Sequence, residues 1–296
     1  MPQGQVVALG LIAGATIFIG LPVGRLRGAS VSLRAFLSAV AVGILLFLFW
    51  DVLSAAVEVI EASLHAAVEG AGAWGEFALL AATGAAGLSV SLLGLVGYER
   101  WLAQRGAGSV GSVGNAGNVG SVGSVGSVGS EASSPGELAG RPAAPTGRQL
   151  AILIAVGIGL HNFAEGLAIG QSAAAGELAF AGTLVIGFAL HNATEGFGIV
   201  APLAGGPVRP SWAFLVGLGL IGGGPTVLGT IVGQAVVNTT LAVAFLGLAA
   251  GSILYVVIEL LGVCGRLGHK TVVAWGIALG LMLGFATDFV LVAAGA

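Results

Sequence analysis

The chain has 296 residues, of which 56% are apolar, and a further 53 are glycine. Only 8% are charged, against roughly 25% in an ordinary soluble domain, and mean hydropathy is +1.04; this composition excludes a soluble enzyme. A net charge of -3 without a Lys/Arg cluster excludes nucleic acid as a partner, and the single Cys264 excludes both a disulfide framework and a thiolate metal cluster. What remains is an all-α polytopic membrane protein, with the lipid bilayer as its surroundings.

Apolar runs long enough to cross a hydrocarbon layer about 30 Å thick predict eight transmembrane helices, at 6–24, 35–57, 77–98, 150–172, 179–201, 211–233, 241–262 and 271–294. They divide the chain into helices one to three (1–98), a linker (99–149), helices four and five (150–201) and helices six to eight (202–296). The first span has no basic residue before it, so it is not a secretory signal, and neither end carries a lipidation signal. All ten basic residues (Arg25, Arg27, Arg34, Arg100, Arg105, Arg141, Arg148, Arg209, Arg266 and Lys270) fall in loops of one side if both termini lie on the other. Glu58, Glu61, Glu69, Glu76 and Glu177 occupy the opposite loops. The positive-inside rule then puts both termini outside a cell (inner) membrane. An odd number of spans would scramble this sorting.

Between the third and fourth spans, residues 108–130 repeat Gly-Ser-Val with Gly-Asn variants, followed by Pro135, Pro142 and Pro145. A collagen helix needs imino acids that the repeat lacks, so the tract reads as a flexible cytoplasmic linker. It contains no histidine and receives no metal role. Gly and Ala at small-xxx-small spacing within the spans are read as close helix packing.

The fourth span contains His161-Asn162-Phe163-Ala164-Glu165-Gly166, and the fifth His191-Asn192-Ala193-Thr194-Glu195-Gly196. In each copy of HNxxEG, His and Glu are at i and i+4 and Asn and Glu at i and i+3, so the three share one helix face. Each His is about 17 Å into its span at 1.5 Å per residue, near the bilayer midplane, and the antiparallel course of the helices brings both triads to one depth. A polar network that glues two helices is the bland reading. Two copies, each with a carboxylate and no basic partner in any span, argue against it. Two Glu, two neutral imidazoles and two amide oxygens form a shell of charge about -2, suited to one divalent transition-metal ion. A metalloprotease HExxH is not matched, because Asn stands at the position of its Glu.

The doubled HNxxEG, the long linker before it and Gly251-Ser252-Ile253-Leu254-Tyr255-Val256-Val257-Ile258-Glu259-Leu260 in the seventh span resemble the ZIP family of divalent metal transporters. The resemblance implies a 3+2+3 inverted-repeat arrangement of eight helices, metal held between helices four and five, and a homodimer. Carried over by position, the metal ligands are His161, Asn162, Glu165, His191, Asn192 and Glu195. Two departures stand out. Ala164 and Thr194 replace the proline common before the Glu of these motifs, and Gly224 precedes Pro225 where the family's sixth helix usually offers a second-ion Glu.

Asp51 in the second span and Glu259 in the seventh are counterparts if helices one to three and six to eight are inverted repeats. Both are read as metal-handling acids at the outer and inner mouths, with Asp288 a weaker candidate. His65 and His269 are placed in loops on opposite sides, His65 within reach of metal at the outer mouth. Gly268-His269-Lys270-Thr271 departs from a phosphate loop and implies no ATP site. Asn238-Thr239-Thr240 is a formal glycosylation sequon, but nine Arg to one Lys gives the composition of a GC-rich prokaryote, in which it would be silent.

The expected activity is movement of zinc-like ions toward the cytoplasm, without nucleotide hydrolysis or a prosthetic group. Imidazole and carboxylate suit Zn, Fe, Mn, Cd, Co and Ni alike. Two rivals use the same ligands. A membrane metalloenzyme needs a free coordination position and a general base, and no surplus acid or His is evident at the midplane. A metal sensor needs a folded output domain, which the linker does not provide.

Overall fold

The computed structural model describes residues 3–26, 30–110, 146–176, 178–203, 209–236 and 238–293. The described residues contain nine α-helices: α1 (Gln3–Ala15), α2 (Ile17–Gly20), α3 (Val31–Val68), α4 (Trp74–Val110), α5 (Gly147–Ala174), α6 (Leu178–Val200), α7 (Trp212–Ala235), α8 (Thr239–Leu267) and α9 (Lys270–Ala293). They build eight segments long and apolar enough to cross a membrane, the first made of α1, α2 and a 3-10 turn that ends at Arg25.

Local chemistry sets the ends. Ser30 caps α3, and Thr146 with Gln149 forms a capping box on α5. Ser211 caps α7, while Asn238 caps α8, committing the amide of the formal sequon to Leu241 N–H. These side chains accept from backbone N–H groups that have no partner within the helix. α8 stops at Gly268, whose φ of 80° is the left-handed conformation glycine adopts without strain.

Two helices run more than ten residues past the expected spans. α3 continues to Val68, so Glu58, Glu61 and His65 stand on its exposed last turns rather than in a loop. That stretch, 58–68, holds three Ala and two Glu, good helix formers in water as well as in lipid. α4 runs to Val110, into the stretch read as linker, with Tyr98 and Trp101 stacked at 5.6 Å on its surface. Residues 111–145, which hold most of the Gly-Ser-Val tract and Arg141, lie outside the described residues, as do Arg27 and Glu177. His269 does lie in a connection, between α8 and α9.

The most extensive packing is α5 on α7, α4 on α8 and α3 on both α9 and α8, with α1 also laid on α7. α5 is the most enclosed span, and α4 and α9 are the least enclosed. Glycine makes these contacts close. A Cβ at Gly166 or Gly170 would strike the Thr226 or Thr230 carbonyl of α7, and one at Gly229 or Gly233 would strike α5 in return. Gly247 and Gly251 meet α4 in the same way, and Gly43 and Gly280 join α3 to α9. Small residues at helix crossings let backbones touch where lipid supplies no hydrophobic drive.

Candidate metal centre

α5 presents His161, Asn162 and Glu165, and α6 presents His191, Asn192 and Glu195, with both histidines in the middle third of their helices. The nearest ligand atoms of His161, Glu165 and His191 lie within 4.8 Å of one another. Glu165 bridges the two histidines: its Oε1 is 3.1 Å from His161 Nε2 and also contacts His191 Nε2. Glu195 Oε1 approaches His161 Nε2 at 3.7 Å, and the imidazole centroids are 6.3 Å apart. Both motifs therefore converge on one point, as the helical spacing requires.

This point is dry and under-satisfied. His161 is 1% exposed and Glu195 2%. Buried with no hydrogen-bond partner are Glu165 Oε2, both carboxylate oxygens of Glu195, and Oδ1 of Asn162 and of Asn192. A buried polar atom left unpaired costs about 1–3 kcal/mol, so five such oxygens beside two imidazoles are a destabilising set that a cation satisfies. Oxygen and imidazole nitrogen are the donors that zinc and its neighbours accept.

The asparagine nitrogens reach the neighbouring helices. Asn162 Nδ2 donates to the Gly222 carbonyl of α7 at 3.0 Å, and Asn192 Nδ2 to the Ala13 carbonyl of α1 at 3.2 Å. Gly166 abuts the Thr226 carbonyl and Gly196 the Ile17 carbonyl, so the glycine closing each motif allows a neighbouring helix to approach.

The side chain of His191 is 11% exposed, the most open of the three clustered ligands. It lines a cavity of about 170 Å³ between α3, α6 and α9, with Ile44, Leu190, Thr194, Leu283, Gly284 and Thr287. Asp51 is exposed on α3 and interacts electrostatically with His191 and Asp288. Glu259 is half-buried on α8 and interacts with Glu99 and Arg266. Neither Asp51 nor Glu259 is among the three clustered residues. His65 is exposed on the end of α3.

Gly224 turns away from all of this. A Cβ there would meet nothing within 4 Å, whereas Gly222 abuts Ile17 and Gly223 abuts Gly14. At about 100° per residue it lies across α7 from the buried line through Leu215, Gly222, Thr226 and Gly229.

A family model described as ZIP Zinc transporter matches residues 115–290. The chain belongs to the ZIP zinc transporter family. No curated protein matches it. Membership makes this ZIP chain a multi-pass membrane protein of a transporter family, with divalent metal ions as its substrates, rather than a member of an enzyme family.

Sequence reasoning missed the partners of this ZIP chain's ligand helices. Ala13 and Gly222 act through backbone carbonyls, which leave no trace in composition, and Thr194 and Thr287 read as ordinary span residues. Glu99 was overlooked; its Oε2 accepts from Tyr255 Oη at 3.4 Å. The signal was available, since the antiparallel order of the spans puts Tyr255 and an acid at the end of the third span toward the same membrane face.

Proposed function

We propose that this chain carries zinc or a similar divalent ion across the membrane into the cytoplasm, through a midplane site of His161, Asn162, Glu165, His191, Asn192 and Glu195. The observation behind this is the convergence of Glu165 on both motif histidines amid buried oxygens that lack partners. No nucleotide is hydrolysed; the ion moves on its own gradient or a coupled one.

Both termini face outward, with the basic loops inside. In that orientation Asp51 and Asp288 lie outward of the cavity residues Ile44 and Gly284 along their helices, and His191 lines the cavity. They attract and partly dehydrate an ion before His191 takes it. Glu259 receives it on the inner side.

A 3+2+3 inverted repeat accounts for the pairing of helices. α3 with α9 has its counterpart in α8 with α4, and α5 with α7 has its counterpart in α6 with α1 and α2. Helices one to three and six to eight then form the two repeats around α5 and α6, joined across the linker, and a homodimer is the assembly the family suggests.

Uptake of a metal panel into proteoliposomes tests the reading. Zinc uptake that is lost in Glu165→Ala and in His191→Ala supports it. Zinc binding without uptake by the wild type would point to a sensor, and metal-dependent turnover of a substrate to an enzyme.

A further inference from the structure

The two asparagines do the same thing in two places. Asn162 donates to Gly222 O, and four residues on Gly166 abuts the carbonyl of Thr226, itself four residues beyond Gly222. Asn192 donates to Ala13 O, and Gly196 abuts the carbonyl of Ile17, four residues beyond Ala13.

Each accepting carbonyl also stands three residues before a point where its helix's own hydrogen bonding is weakened or broken. Pro225 stands inside α7, where it lacks the N–H that would bond Ile221 O. Thr16 separates α1 from α2, and its hydroxyl donates to the same Ala13 carbonyl at 2.6 Å. Both amides leave Oδ1 buried and unpartnered.

We infer that Asn162 and Asn192 are positioning residues that tie the ion at the central site to two neighbouring helices, α7 with its internal Pro225 and α1 with its break at Thr16. This rests on the transport reading above. An amide whose oxygen binds a cation becomes a stronger N–H donor, since linked polar contacts polarise one another. The ion therefore tightens α1 and α7 onto the site when present and loosens them when it leaves. Simple polar glue between helices would satisfy the oxygens as well as the nitrogens, and here the oxygens are left over.

The test is hydrogen–deuterium exchange on the full chain, with and without zinc, beside uptake kinetics. In the wild type, zinc slows exchange in 16–20 and in 226–230. Asn192→Asp keeps an oxygen ligand and, when ionised, gives up the donor. It is expected to bind zinc, to exchange about tenfold faster in 16–20 alone, as loss of one hydrogen bond implies, and to turn over at least tenfold more slowly at saturating zinc. Asn162→Asp is expected to do the same for 226–230 alone.

Thr16→Val provides a second variant should an Asp variant fail to fold. It removes the other side-chain donor to Ala13 O and leaves the Thr16 N–H in place, so exchange in 17–20 should rise and turnover at saturating zinc should fall. Wild-type exchange in these variants, or loosening of both segments by either Asn variant, overturns the inference. Absence of zinc uptake by the wild type defeats the transport reading instead, and the metal-free exchange comparison still decides the hydrogen-bond roles.

Discussion

Replacing Glu165 with Gln keeps the side chain's shape and removes one charge. Glu165 is 5% exposed and contacts both His161 and His191, so solvent does little to mask the loss. The shell drops from a charge of about -2 to about -1, and a divalent ion is left with an uncompensated positive charge in a dry interior. Removing one partner of a buried ionic pair costs about 3–5 kcal/mol. At about 1.4 kcal/mol per factor of ten, zinc affinity falls by about two to three and a half powers of ten. Calorimetric titration of purified protein reads this directly, with Glu58→Gln on the exposed end of α3 as the control expected to leave affinity unchanged. The metal-free variant should melt no lower than the wild type, because it carries one buried charge fewer. Zinc affinity within threefold of wild type in Glu165→Gln would show that this carboxylate does not hold the ion.

Four further outcomes are expected. Purified wild type should hold one strongly bound ion per chain by elemental analysis; because an added Cβ at Gly224 meets open space, Gly224→Glu should leave the count at one, and two full sites in the wild type would refute the charge argument. Thr287→Trp, which fills much of the cavity beside His191, should slow zinc uptake about tenfold while equilibrium affinity changes less than threefold, since blocking a path alters rates and not the end state. Gly280→Leu would drive a side chain into the Val40 carbonyl of α3, and a loss of roughly 1–3 kcal/mol from overpacking should appear as a lower melting temperature in detergent. Deletion of 111–130, which contain no His, Cys, Asp or Glu, should leave uptake within twofold of wild type.

What the sequence made legible follows from which forces act locally. The eight spans were readable because transfer into lipid depends on composition over about 20 residues. The convergence of His161, Glu165 and His191 was readable because helical spacing and antiparallel order fix depth and face before any contact is known. Hydropathy says where a helix enters lipid and not where it stops being helical, which hid the last turns of α3 under Glu58, Glu61 and His65. The direction of Gly224 depends on how α7 rotates against α5 and α1, so proximity to Pro225 in the chain could not reveal that it faces outward. The bonds from Asn162 and Asn192 to α7 and α1 cross 60 and 179 positions of sequence. Their acceptors are carbonyls common to every residue, so only the packed chain could disclose them.

The glycine contacts between helices also bear on leakage. A transporter of scarce ions must pass its cargo without letting protons or sodium follow along the seams between its helices. Side chains meeting at a crossing leave gaps whose size shifts as rotamers change. Backbone laid on backbone, as at Gly166 on Thr226, Gly247 on Gly84 and Gly280 on Val40, leaves no room even for a methyl group at these points. The glycine content that makes this chain look structurally permissive is, at these crossings, its insulation.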